Sequence, residues 1–418
     1  MAAFTPPPGT ADIFENEARS WRFLESTASK VFSSYGYGEL RTPIFEYTEV
    51  FQRGLGGETE VVQKEMYTFN DRGGRSLTLR PEGTAGVMRA LSNTDVANGT
   101  EQRVFYYGPM FRGERPSAGR RRQFHQIGVE NVGRCAPLID AECIAMLHNY
   151  LCAIGIKDAV FTINTRGVAE DRIPAEKMLR EYFAGHLDKM CPDCRTRFER
   201  NIWRILDCKQ SECGRIIAEA PDYVECFTDA SKAYFAEVKA ALDLLKVPYQ
   251  VNSRLVRGLD YYVHTVFEVT HSGLGEQIAI AGGGRYELFL PGEKRPLPGV
   301  GFATGCERLL LVREALQLPP PESPQTAVYL IGLGAAARLA NMGLAAQLRN
   351  HGVRVEMELE ERSFKAQMRS ANRSQAKFAV LRGENELASH IATVKNMADG
   401  SQVEVNENEL FDYIVKSI

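Results

Sequence analysis

Six consecutive residues, Arg257-Gly258-Leu259-Asp260-Tyr261-Tyr262, place a guanidinium, a carboxylate and two phenols between strand-forming apolar flanks at Leu255-Val256 and Thr265-Val266-Phe267. Surface turns rarely combine two aromatic rings with a paired charge. A pocket that grips an anionic reacting group and a flat polar ring needs that combination. A second constellation runs through Tyr106-Tyr107-Gly108-Pro109-Met110-Phe111-Arg112-Gly113-Glu114, then Arg115-Pro116-Ser117-Ala118-Gly119-Arg120-Arg121-Arg122, then Gln123 to Glu130. It reads as two strands joined by a basic loop. Five arginines with one acid between 112 and 122 suit phosphate, which bidentate guanidinium groups hold well. On two-residue alternation Arg112 and Glu114 share a face, as do Gln126 and Glu130, while Phe111 and Ile127 face a core. Charges on otherwise apolar central strands are costly to bury, so a ligand is expected to meet them. The alternative is a solvated sheet face.

Four further segments carry weaker signals. Arg80-Pro81-Glu82-Gly83-Thr84 projects Glu82 from a tight turn as a partner for an ammonium, although Thr84 could be a helix N-cap and no more. Ala281-Gly282-Gly283-Gly284-Arg285-Tyr286 offers backbone without side chains for close ligand approach, or only a turn. Gly299-Val300-Gly301-Phe302-Ala303-Thr304-Gly305-Cys306-Glu307-Arg308 reads as a strand entering a helix. Arg308, in its first turn, could stack on a nucleobase or meet a phosphate, unless it is an ordinary surface arginine. Cys191-x-x-Cys194, with Cys208 and Cys213, suggests a tetrahedral Zn²⁺ site, structural rather than catalytic; the alternative is a set of reduced structural thiols. The other cysteines, Cys135, Cys143, Cys152, Cys226 and Cys306, are expected to be buried reduced thiols.

The elements that position these residues follow from periodicity. Helices are expected at 15–35, 84–92 and 137–153, and strands at 40–45, 66–69, 76–80, 103–112 and 123–131. Strands separated by loops rather than regular helices indicate an α+β arrangement on an antiparallel sheet. Residues 170–246 turn helix-rich and hold the cysteine cluster, as an insertion would. Strands resume at 250–256, 263–270 and 277–281. A proline-rich linker at 318–325 divides residues 1–320 from 326–418, where strands alternating with helices indicate an α/β domain on a largely parallel sheet. There Arg362, Lys365, Arg369 and Arg373 form a positive stripe along one helix, solvated or facing phosphate.

The 418 residues suffice for two or three domains, and 44% hydrophobic with 25% charged residues is ordinary for a soluble protein. A net charge of −3 argues against a uniformly basic nucleic-acid binder but leaves room for local basic patches. No apolar run approaches a membrane span, and no signal peptide opens the chain, so a cytoplasmic location is expected.

The Phe111-Arg112-x-Glu114 hairpin and the Gly301-x-x-x-Gly305-x-Glu307-Arg308 helix resemble motifs 2 and 3 of class II aminoacyl-tRNA synthetases. Tyr35–Arg53, with Pro43, resembles their motif 1, which forms a dimer interface. Arg257–Tyr262 and Gly282–Tyr286 resemble the two signature segments of histidyl-tRNA synthetases. The resemblance spans nearly the whole chain. It implies a catalytic domain of the class II type with a helical insertion, a C-terminal anticodon-binding domain, a homodimer, and attachment of L-histidine to tRNA(His) with ATP and Mg²⁺. By the same resemblance, Glu82, Thr84 and Gln126 hold the histidine ammonium, and Glu130 and Tyr262 meet its imidazole, with Tyr261 and Tyr286 lining the pocket. Adenine lies between Phe124 and Arg308, near Glu114, with Arg120 also at the nucleotide. Arg112 and Arg257 approach the α-phosphate from opposite sides. Arg115, Arg121, Arg369 and Arg373 meet tRNA. Two positions depart from the family pattern: Pro8 stands where an arginine is usual, and Ser117 where glutamine is usual. A non-catalytic synthetase-like regulatory subunit is the competing reading, and such proteins usually lack the last domain and an intact equivalent of Arg257–Tyr262.

Overall fold

A computed structural model describes the chain apart from residues 1–3, 56–58, 60, 93, 99, 258–260, 276–278, 290–295 and 323–324. The chain forms two compact units, Met1–Pro321 and Glu322–Ile418. The first is built on an eight-stranded sheet, in the spatial order Gly38–Glu39, Gln102–Phe111, Gln123–Val132, Leu297–Gly305, Ala279–Leu288, Tyr262–Thr270, Val160–Thr165, Gln250–Val251. All its pairings are antiparallel except the one at each edge. Alternation sets the two faces. Ile127, Val129, Phe267, Val269 and Phe302 join the large core with helices Glu15–Ser34, Pro137–Ala153, Asp229–Leu244 and Cys306–Ala315. Gln126, Glu130, Tyr262 and Glu268 project from the other face into a cavity. Among the described residues no helix is long and apolar enough to cross a membrane.

One buried ion pair locks the sheet to the helices. Arg285 and Asp140 are both 0% exposed at the side chain, with Arg285 Nε donating to Asp140 Oδ1 at 2.7 Å and Nη1 to the Arg134 carbonyl at 2.9 Å. Tyr234 donates to the other carboxylate oxygen at 3.0 Å. Removing one partner strands a buried charge. Asp140→Ala is therefore expected to destabilise the first unit by about 3–5 kcal/mol, read from the urea midpoint, and a loss under about 1 kcal/mol would contradict this.

The helices between Ala169 and Cys226 own a separate core around Phe183, Cys194, Trp203, Ile205 and Tyr223. That core also takes in Val256, while Phe235, Val238 and Leu242 of helix Asp229–Leu244 pack into the large core.

Other expectations need correction. The strand read at 40–45 is two short strands in different sheets, Gly38–Glu39 and Phe45–Tyr47, with a break at Pro43, which has no N–H to give a ladder. The strand read at 250–256 ends at Val251, because Asn252 Oδ1 takes the Arg254 N–H at 2.9 Å and turns the chain. Cys135 is exposed and Cys152 and Cys226 are half-buried; only Cys143 and Cys306 of that group are buried. The proline-rich run begins packed rather than free: Leu318 N bonds the Arg313 carbonyl at 3.0 Å, and Arg313 reaches the Pro319 carbonyl at 3.0 Å.

In the second unit, Val355–Met357, Val328–Gly332 and Phe378–Arg382 pair in parallel, and Ile391–Asn396 and Gln402–Asn406 then add antiparallel. The sheet is thus mixed rather than largely parallel, since the short connection from Asn396 to Gln402 permits only a hairpin. Helix Phe364–Arg373 leaves Lys365, Arg369 and Arg373 exposed.

Candidate active site

The cavity above the sheet encloses about 490 Å³ and is lined by residues from every constellation singled out in the first unit except the four-cysteine cluster. Glu130 sits on its floor, 1% exposed. Thr84 Oγ donates to its Oε1 at 2.6 Å, and Tyr286 OH donates to its Oε2 at 2.7 Å. Room for this carboxylate exists because residue 301 is glycine, where a Cβ would lie 2.1 Å from Glu130 Oε2. Burial, only partly offset by the two hydroxyl donors, raises the Glu130 carboxyl to about 8, with the nearby Glu82 adding to the rise. A carboxyl with its pKa raised into the neutral range, set beside Tyr262 and Tyr286, suits a ring that can take up or share a proton.

Glu82 caps the helix Thr84–Leu91, accepting from the backbone N–H groups of Thr84 at 2.7 Å and Ala85 at 2.8 Å. Thr84 is therefore not the N-cap, and its hydroxyl is used on Glu130. Gln126 lines the same wall, and its buried Oε1 has no partner among the described residues, which leaves an acceptor for a ligand's ammonium. Tyr262 is 7% exposed, and Tyr261 lies against both Tyr262 and Tyr286 at ring separations of 4.8 and 5.7 Å. Gly258, Leu259 and Asp260 lie outside the described residues.

The upper wall is cationic. Arg257 Nη1 donates to Glu268 Oε2 at 2.7 Å, while its buried Nε has no hydrogen-bond partner among the described residues. Gly282 is the reason it fits, since a Cβ there would stand 2.6 Å from the guanidinium. Arg112 donates to the Pro81 carbonyl at 2.9 Å, pairs with Glu114 at 3.8 Å and lies over the Phe124 ring at 5.3 Å. Arg120 meets Glu114 at 3.5 Å. Arg308 donates to the Gly119 carbonyl at 3.1 Å and to that of Ala279, spanning the basic loop and the neighbouring strand. Desolvation, followed by repulsion from Arg120, lowers the pKa of Arg308. Four guanidinium groups with Glu114 and Glu268 set among them favour a polyphosphate.

Of the remaining expected site residues, Arg121 also lines the cavity, Arg115 is exposed on the loop away from it, and Arg369 and Arg373 belong to the second unit. Cys191, Cys194, Cys208 and Cys213 converge with all four sulfurs within 4.8 Å of one another. Sequence reasoning assigned no role to Glu268, though its even spacing from Tyr262 placed both on one strand face. It also missed Glu307, which accepts the His125 backbone N–H at 3.0 Å and binds the hairpin to the helix carrying Arg308. Nothing in the spacing could have shown Arg204 and Asp207 on the cavity wall.

A sequence model described as histidyl-tRNA synthetase matches residues 9–188, and one described as anticodon binding domain matches residues 327–417. The chain is 44% identical over 414 residues to a histidine--tRNA ligase of Halothermothrix orenii, covering 99% of each chain. Its structure is similar to the apo histidyl-tRNA synthetase of S. aureus with a TM-score of 0.83 at 34% identity, over 99% of this chain and 100% of that one. A solved Bacillus halodurans protein described as an ATP phosphoribosyltransferase regulatory subunit/histidyl-tRNA synthetase shares the fold alone, with a TM-score of 0.66 at 20% identity over 92% of this chain and 99% of that one. End-to-end identity at this level, with both domain models in order along the chain, means that the chain belongs to the histidyl-tRNA synthetase family of class II aminoacyl-tRNA synthetases.

Proposed function

We propose that the cavity joins L-histidine to ATP and passes the histidyl group to tRNA(His). The observation that carries this reading is Glu130, a buried carboxyl held by Thr84 and Tyr286 at the floor of a cavity whose upper wall is arginine. The imidazole meets Glu130 and Tyr262, with Tyr261 and Tyr286 beside it. The ammonium meets Glu82, Thr84 and the unpartnered Gln126 oxygen. Adenine stacks between Phe124 and Arg308, which requires Arg112 to leave the Phe124 ring and take up the α-phosphate. Glu114 and Arg120 complete the nucleotide site, and Arg257 reaches the α-phosphate from the opposite side.

The histidine carboxylate attacks the α-phosphate in line, and the bond to pyrophosphate breaks. No general base is needed, because the nucleophile is already an anion at neutral pH. Catalysis by the chain's own residues is positioning plus stabilisation of the charge that develops on the phosphoryl oxygens. Mg²⁺ takes most of its ligands from phosphate and water and fits a wall where Glu114 and Glu268 stand beside the arginines; it supplies further charge neutralisation. The terminal ribose hydroxyl of the tRNA then attacks the adenylate carbonyl and AMP leaves. The four-cysteine cluster suits a structural zinc.

Ile44, Phe45, Tyr47, Tyr67 and Phe69, all exposed on or beside one small three-stranded sheet, form an apolar face that supports a homodimer through the motif 1 region. The cytoplasm, where charged tRNA is used, is the expected location. The test is charging: purified protein should transfer labelled histidine to tRNA in the presence of ATP, and charging with a different amino acid only would refute the reading. In the second unit, Arg369→Glu is expected to weaken tRNA binding about tenfold or more at low salt, through lost phosphate contact, without changing adenylate formation. Equal loss in both assays would refute that separation.

A further inference from the structure

Cys191 caps the helix Pro192–Arg200, Cys194 lies in its first turn, and Cys208 and Cys213 stand on either side of the turn into helix Ser211–Glu219. Cys191 Sγ is 3.8 Å from Cys208 Sγ, and all four sulfurs lie within 4.8 Å of one another. Tetrahedral Zn–S bonds of ~2.3 Å set sulfurs ~3.8 Å apart, so one ion fits with little movement of the chain. Backbone donors already address the sulfurs: Cys191 N–H points to Cys213 Sγ at 3.3 Å, and Cys194 N–H to Cys191 Sγ at 3.5 Å. Such donors stabilise thiolates, the form that binds metal.

What the ion would control follows from its neighbours. The 3₁₀ segment Ile202–Asp207 ends directly at Cys208. It buries Trp203 and Ile205 in the same core as Cys194 and Cys213, while Arg204 and Asp207 line the reaction cavity. Val256 belongs to that core too, and Arg257 is the next residue. Arg254 ties the same approach down by donating to the carbonyls of Pro221 and Ala220. The helices around the cysteines are only nine residues long, too short to persist without outside support. A metal crosslink supplies that support.

We propose that Cys191, Cys194, Cys208 and Cys213 hold one Zn²⁺ as a closed tetrathiolate site, and that this ion fixes Arg204, Asp207 and Arg257 on the wall of the reaction cavity. The effect on catalysis rests on the adenylation reading above; the ion itself does not.

Protein purified without added metal should carry one zinc per chain, and cobalt in its place should show the strong visible absorption of a tetrahedral thiolate site. Chelation of the whole enzyme with thiols kept reduced should raise amide exchange at 202–208 and 254–257 but not in the second unit. It should also slow histidine-dependent pyrophosphate exchange on the order of tenfold or more, and added zinc should restore both. Should chelation unfold the segment, seen as lost helical circular dichroism, Arg204→Ala reads the coupling with the cysteines intact: zinc stays bound and pyrophosphate exchange slows. No zinc, with four freely titrating thiols, overturns the site. Zinc that leaves without altering amide exchange or rate, or full activity in Arg204→Ala, overturns the coupling. A zinc-loaded enzyme inactive with histidine condemns the adenylation reading instead, and zinc content and amide exchange then still decide the proposal.

Discussion

Arg257→Ala is expected to slow adenylate formation by about 10²- to 10³-fold at saturating histidine and ATP, the range seen when one preorganised donor to a developing anion is lost. The surroundings of the guanidinium suit this task. Glu268 fixes one nitrogen at 2.7 Å, Gly282 leaves the space it occupies, and its Nε has no partner among the described residues. Because the charge it meets grows during the reaction, the loss falls on kcat more than on KM. Lysine restores the charge without the planar fork, so Arg257→Lys should recover little of the rate. Arg112→Ala should act in the same sense and also raise the KM for ATP, since Arg112 belongs to the nucleotide wall. Rapid-quench measurement of the adenylate decides the matter, and a fall in Arg257→Ala of less than about threefold would remove this residue from the catalytic machinery.

The second large effect concerns Glu130. Glu130→Gln should lower kcat/KM for histidine by about 10²- to 10³-fold while leaving the KM for ATP nearly unchanged, because a site built around a buried proton-sharing group loses its discrimination when that group cannot ionise. The pH dependence carries the sign. With its pKa raised to about 8, Glu130 should be mostly protonated at neutral pH before histidine binds, while free histidine's imidazole, near 6.5, is mostly neutral. The acid and the imidazole together then hold the one proton that a carboxylate–imidazolium pair requires. Below about 6.5 the incoming imidazolium brings a surplus proton, and above about 8 a proton must come from solvent, so histidine affinity should peak between these values. In the Gln variant the upper limb should vanish. Titration calorimetry in buffers of different ionisation enthalpy reads the proton count directly, and an unchanged upper limb in the variant would exclude Glu130 as its source. The same shift acts on the empty fold: between the ordinary carboxyl value of 4.5 and about 8 the native site holds a proton that the unfolded chain lacks. This group's contribution to stability is therefore full at low pH and lost as pH rises through that interval.

Much of this site was legible because its residues announce themselves locally. Arg112, Glu114, Gln126 and Glu130 follow from two-residue alternation in one hairpin, and both strands of that hairpin form within a residue or two of their expected bounds. Arg308 falls in the first turn of a helix, as the glycine-punctuated approach from Gly299 required. What escaped depends on register between distant strands. Arg285 sits beside Tyr286 in the sequence, yet it turns to the opposite face and pairs with Asp140 across 145 positions. Glu307 reaches His125 across 182. Gly282 looked like a turn or backbone-approach residue, but it sits inside a strand and clears space for Arg257, while Gly301, on a strand as expected, clears space for Glu130. A sheet edge was misread where Pro43 moves the chain from one sheet to another, and composition does not reveal that helix Asp229–Leu244 joins the large core.

Exchange of labelled pyrophosphate into ATP tests, without tRNA, whether this cavity activates histidine by forming its adenylate. Exchange should depend on histidine, be absent with the other common amino acids, and collapse in Arg257→Ala. Exchange driven by another amino acid while histidine remains silent would contradict that reading.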